Sequence, residues 1–168
     1  MIRYFIRRIA VACLVAGGLG FAAHAAGAAA NKTANKAVNK QAEALQLAAF
    51  DLEDKGDLEG AIAKFREAHQ LKPTDKGLNQ NLADVLNTTG VTLYNNKDYP
   101  AATARFNEAL GLLPNFARAK ENLGKVTAAQ LNADGHTLYK AGNLDQAREK
   151  YAAAVAADPG NISAKANL

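Results

Sequence analysis

His136, the acids Asp51, Glu53 and Asp54, and the thiol of Cys13 are the side chains whose chemistry would matter first. An imidazole can act as a base or a metal ligand, but no second histidine stands at helical ligand spacing from His136. His69 belongs to another segment, near its end. The acids could hold Ca²⁺ only with a regular alternation of oxygen ligands closed by Glu, and Asp51 to Asp57 lacks that spacing. They read as solvation of a helix end. Lys64, Arg66 and Glu67 read as a solvated outer face. No glycine loop is built to cradle a phosphate, and no nucleophile has an adjacent base. The residues therefore point away from catalysis, cofactors and metals.

Cys13 lies inside an apolar segment. Arg3, Arg7 and Arg8 precede it, Ile9 to Ala23 is Ala/Gly-rich, and Ala23-His24-Ala25 offers small residues at a cleavage site. That order is the layout of a secretory signal peptide, expected over residues 1–25. Lipid attachment at Cys13 is disfavoured, because it follows Arg8 by five residues and Ala10-Val11-Ala12 lacks the usual Leu. Left uncleaved, the segment would be a membrane anchor instead. The expected location is the periplasm or cell envelope of a bacterium. A chain without residues 1–25 has no cysteine, so packing alone must hold it. The net charge of +4 also depends on that segment: without it, 17 basic residues face 16 acidic ones. A balance so close to zero gives no case for a nucleic-acid partner.

The strongest signal is a pattern that occurs three times. Ala61, Phe65, Ala68 and Pro73 are spaced like Ala102, Phe106, Ala109 and Pro114, and like Ala147, Tyr151, Ala154 and Pro159. Twelve residues before each leading Ala stands a small residue: Ala49, Gly90, Gly135. Leu45 and Leu52, Leu86 and Leu93, and Leu131 and Leu138 flank these at helical steps. Between the two apolar stretches of each copy come Gly56-Asp57-Leu58, Lys97-Asp98-Tyr99 and Gly142-Asn143-Leu144. Asp57, Asp98 and Asn143 are suited to cap the following helix. Pro100 is tolerated in its first turn. Each such helix should run about 14 residues and stop near its proline.

This pattern resembles the tetratricopeptide repeat, whose first helix carries Leu-Gly and whose second carries Ala, an aromatic and Pro. The resemblance covers about residues 42 to 168, with repeats near 42–73, 74–114 and 115–159 and a partial helix at 161–168. It implies an all-α, right-handed solenoid of three helical hairpins. One departure is clear: the copies are 41 and 45 residues apart, against a usual period of about 34. Asn81-Leu82, Asn122-Leu123 and Asn167-Leu168 each come eight residues after a proline, so the first helices start on schedule. The surplus of seven or eleven residues is close to two or three turns and keeps the apolar face in phase. The first helices of the second and third repeats are thus expected to be lengthened. Residues 26–37, with their Asn-Lys period of four, read as a linker or a frayed helix start.

The resemblance further implies that the first helices line a concave face that binds a protein or peptide. Its groove positions fall on Gln46, Phe50 and Glu53, on Asn87, Val91 and Tyr94, and on Asn132, His136 and Tyr139. Amides can bond a peptide backbone and phenol rings can cover its side chains. The residues that clamp a C-terminal carboxylate in one subset of the family are not at these sites. The alternative is a self-assembling module of the envelope, suggested by the short segment Asn161 to Leu168 where a polar end cap is normally needed. A second copy of the chain is then the partner.

Overall fold

A computed structural model describes residues 20–168, with side chains from residue 31 onward. The expected signal segment falls largely outside the described residues. Seven helices follow in order and no strand occurs among the described residues. They are α1 (Gly20–Asp54), α2 (Leu58–Leu71), α3 (Lys76–Asn95), α4 (Tyr99–Leu112), α5 (Ala117–Lys140), α6 (Leu144–Ala157) and α7 (Ile162–Asn167). The chain divides into two units, Met1–Lys40 and Gln41–Leu168.

In the first unit, residues 26–37 are helical within α1 rather than a linker. No glycine or proline interrupts the chain from Ala28 to Lys55, and alanine and lysine are strong helix formers. Asn31, Lys32, Asn35, Lys36 and Asn39 are all exposed there.

In the second unit the helices form antiparallel hairpins: the end of α1 with α2, α3 with α4, and α5 with α6. α2, α4 and α6 each have 14 residues. α3 has 20 and α5 has 24. The four extra residues of the longer spacing therefore lie in α5, as an unbroken continuation of its helix. Continuity follows from phase, because Leu123, Val126, Leu131, Gly135 and Leu138 stay on the packed face.

The turns share one construction. Asp57, Asp98 and Asn143 each donate a backbone N–H to the residue five back, at 2.9, 2.9 and 3.0 Å. The preceding residue lies in the left-handed region: Gly56 at φ 79°, Gly142 at φ 81° and, without glycine, Lys97 at φ 63°. This is the Schellman ending. Asp57 and Asp98 then cap the next helix through their carboxylates, accepting from Gly60 and Ala101. Asn143 holds the same position but makes no side-chain cap bond. Asp75 caps α3 by accepting from Gly77 and Leu78. Its hydrogen bond from Lys72, then those from the backbone, hold its carboxyl below the usual range.

The main core joins Ala49 of α1 to Ala61, Ile62 and Phe65 of α2, Leu82, Val85 and Leu86 of α3, Ala102 and Phe106 of α4, and Val126 of α5. Each aromatic meets the small or aromatic residue of its own hairpin, and Phe65 and Phe106 also belong to the one core that runs across the hairpins. A side chain at Gly90 would meet the Phe106 ring at 2.6 Å, and one at Gly135 would meet Tyr151 at 2.7 Å. The glycines are where they are because the ring occupies their side-chain space. In the first repeat Ala49 takes the small position, and Phe65 stands edge-on to Phe50 at 5.3 Å between centroids.

Candidate functional site

The first helices stand side by side and are tied laterally by polar bonds. Arg118 at the start of α5 donates to Asp84 of α3 at 2.5 Å. One step along, Asn122 of α5 donates its amide N–H to Asn87 Oδ1 of α3 at 2.9 Å. Between α7 and α5 the same rung recurs: Asn167 donates to Asn132 Oδ1 at 3.0 Å. Both amide rungs join residues 35 apart in sequence. They hold adjacent repeats in register and so fix the face from which a ligand would be met.

This arrangement changes the roles of the two asparagines. Asn87 is only 8% exposed, and its carbonyl is already engaged by the next repeat. Asn132 is half-buried with its carbonyl engaged likewise. Their amides serve the lateral ladder. The constant spacing of Asn87 to Asn122 and of Asn132 to Asn167 was the sequence signal for this, because it links a groove position of one repeat to the Asn-Leu opening of the next.

The other expected groove residues divide. Gln46 and Val91 are half-buried, Val91 against the main core. Phe50 stands edge-on to Phe65 and is 38% exposed. His136 is exposed. Glu53 is half-buried, and burial, then the carboxylates of Asp54 and Asp84, push it above the usual glutamate range. Tyr94 and Tyr139 are equivalent in sequence but not in setting. Tyr94 leans on Tyr99, with centroids 5.9 Å apart and planes tilted by 43°, whereas Tyr139 is 58% exposed.

Tyr94 and Asn132 are brought together. With Tyr99, Asp158, Asn161 and Ser163 they line an open cleft of about 420 Å³ between α3, α5 and the α6–α7 turn. Beside it, Glu121 accepts from Lys125 at 2.7 Å. That hydrogen bond, then the charges of Glu121, Asp158 and Tyr94, raises Lys125 above the usual lysine range. No group of His, Cys, Asp and Glu among the described residues could hold a metal ion.

The second helices carry a different set of charges. Arg66 of α2 grips both carboxylate oxygens of Glu108 of α4 through its Nε and Nη2, at 2.6 to 3.0 Å. Arg105 of α4 returns the contact by donating to both oxygens of Glu59 at 2.8 Å. Arg66 is thus a joint between repeats, beyond its expected part in a solvated face. Glu108 was the missing half of the signal, and only the stacking of α2 on α4 reveals it.

No family model matches this sequence, and no curated protein matches it either. Solved structures do resemble it. The first TPR domain of Spaghetti (RPAP3) bound to the HSP90 peptide SRMEEVD is 18% identical, over 77% of this chain and 88% of that one, with a TM-score of 0.34. The TPR domain of P58(IPK) is 19% identical, over 86% of this chain and 40% of that one, with a TM-score of 0.41. The second TPR domain of human RPAP3, in complex with the HSP70 peptide SGPTIEEVD, is 17% identical, over 76% and 94%, with a TM-score of 0.32. The chain's own three hairpins remain the ground for its fold. That fold is tetratricopeptide-like. Its tetratricopeptide-like repeats differ from the usual length in the first helix alone, since α2, α4 and α6 are equal.

Proposed function

We propose that this chain is a non-enzymatic scaffold that binds a protein or peptide along the face of its first helices. The observation that carries this reading is the lateral ladder. Arg118–Asp84, Asn122–Asn87 and Asn167–Asn132 lock α3, α5 and α7 into one fixed surface with an open cleft in it. A pre-set surface spares a ligand the cost of ordering its receptor. The Arg-rich start and Ala23-His24-Ala25 support export to the periplasm or cell envelope, with membrane anchorage if residues 1–25 are retained. Among the described residues, no helix is long and apolar enough to cross a membrane.

The test is selection of random dodecapeptides on the full chain, followed by two blocking variants. Ala133, exposed on α5 beside the cleft, becomes Trp; Ala104, exposed on α4, becomes Trp as control. Ala133→Trp should weaken binding at least tenfold with the melting temperature unchanged, and Ala104→Trp should not. The reverse pattern would contradict the reading.

Self-assembly has one observation in its favour. Leu144 is 60% exposed, although its equivalent, Tyr99, is half-buried against the core. Sedimentation across a hundredfold concentration range would reveal a second copy on this face.

A further inference from the structure

The cleft between Tyr94 and Asp158 carries a charge pattern of its own. Its one acidic lining residue is Asp158, the residue that ends α6. Asp158 is half-buried there, and one of its carboxylate oxygens accepts from the Gly160 N–H. Tyr94 and Tyr99 also line it, their ring centroids 5.9 Å apart. An ammonium or guanidinium over a tyrosine face, within about 6 Å of its centroid, is attracted by the ring quadrupole. Ser163 adds a hydroxyl, while the side-chain carbonyls of Asn132 and Asn161 accept from Asn167 and Ala164. Lys125, one helical turn before Ala129 of the lining, donates to Glu121. The cleft therefore joins one acid, two phenol rings and a hydroxyl around a space of about 420 Å³, in a setting where Lys125 has its own partner.

We propose that this cleft receives the cationic side chain, lysine or arginine, of a bound peptide. The proposal rests on the peptide-binding reading above and narrows it to a basic ligand. The partner is thus a protein whose exposed segment presents a positive side chain, the opposite charge preference to a clamp for carboxylates. The carboxylate of Asp158 sets charge, the tyrosine rings set shape, and Lys125 acts as a weak competitor for the same acid.

The probes are capped pentapeptides, Ac-Ala-Ala-Lys-Ala-Ala-NH2 and its norleucine and glutamate counterparts, titrated into the ¹⁵N-labelled full chain. The lysine peptide should shift the amides of Tyr94, Asn132 and Asp158, and bind at least about fivefold more tightly than the norleucine peptide, as expected of one partly desolvated charge. Asp158→Asn keeps the oxygen that accepts from the Gly160 N–H, so it should fold normally and lose this preference. Lys125→Gln should strengthen binding by roughly two- to threefold by removing the competitor. Equal binding of the three peptides on α3 and α5 would overturn the cation pocket and leave the peptide-binding face intact. Shifts confined to other helices, no binding of the lysine peptide, or a preference that survives Asp158→Asn would each overturn the pocket. So would 1,5-diaminopentane binding as tightly as the lysine peptide, since the occupant would then be a free amine.

Discussion

The α3–α4 and α5–α6 hairpins are built on the same offsets and enclose very different interiors. Between α3 and α4 lie Leu82, Val85, Leu86 and Phe106, continuous with Ile62 and Phe65 of the preceding hairpin. Around α5, α6 and α7 a separate cluster consists of Ala128, Ala154 and Ala164, with Leu131 and Val155 half-buried beside it. The outer joints differ in the same sense. Glu59, Arg66, Arg105 and Glu108 tie α2 to α4, whereas among the described residues no ion pair ties α4 to α6. In a stack of repeats, stability is close to a sum of repeat and interface terms. The third repeat is accordingly the weak one, and the cleft lies on its boundary with the second.

The largest effect follows from the aromatics. Phe106→Ala should cost about 3–5 kcal/mol, as for a fully buried phenylalanine, and should lower global stability in urea. Tyr151→Ala should cost less. Its loss should speed amide exchange in α5 and α6 while α2 to α4 stay protected, as expected of a unit that opens by itself. Equal losses at both positions would break the comparison.

Gly124 comes next. It lies in the lengthened part of α5, where spacing alone gives no contact and suggests a loose site. The structure instead puts it against α6: a side chain there would meet the Ala157 carbonyl oxygen at 2.8 Å. A backbone atom cannot rotate away. Gly124→Ala should therefore destabilise by roughly 1–3 kcal/mol, the usual cost of overpacking, where a free helical site would gain up to about 1 kcal/mol. A thermal melt decides the sign.

These two cases show how far the residues could be read. The hairpins, their lengthened first helices and the small residues where two helices meet were legible, because each depends on local periodicity that recurs three times. That Gly90 and Gly135 face the rings of Phe106 and Tyr151 was not, since offset alone does not say which ring fills the space above a small residue. The site was less legible still. Val91 packs against the core and Asn87 serves the ladder, while Asp84, Arg118 and Asp158 stand beside them at positions that no single repeat marks. A groove is made by neighbours, and its residues become visible only when the helices stand side by side.

The ladder gives a smaller contrast. Asn87→Ala leaves the half-buried Asn122 amide without its acceptor and should cost about 1–2 kcal/mol. Asn132→Ala breaks a rung whose donor, Asn167, is exposed, and should cost only a few tenths of a kcal/mol, because water replaces the lost partner. Chemical denaturation of both variants reads the difference.

The turns give the smallest. Lys97 occupies the left-handed position that Gly56 and Gly142 fill in the other repeats. Relieving it by Lys97→Gly should stabilise by about 1 kcal/mol or less, whereas Gly142→Lys should destabilise by a similar amount. Opposite shifts in midpoint would show that the three turns are one construction.

The claim that matters most is that the first helices present the binding face. A photo-reactive benzoylphenylalanine placed at position 133, beside the cleft, and separately at position 104 on α4, tests it in cells. The account predicts a discrete adduct on irradiation from position 133 and none from position 104. An adduct from position 104 with none from position 133 would contradict it.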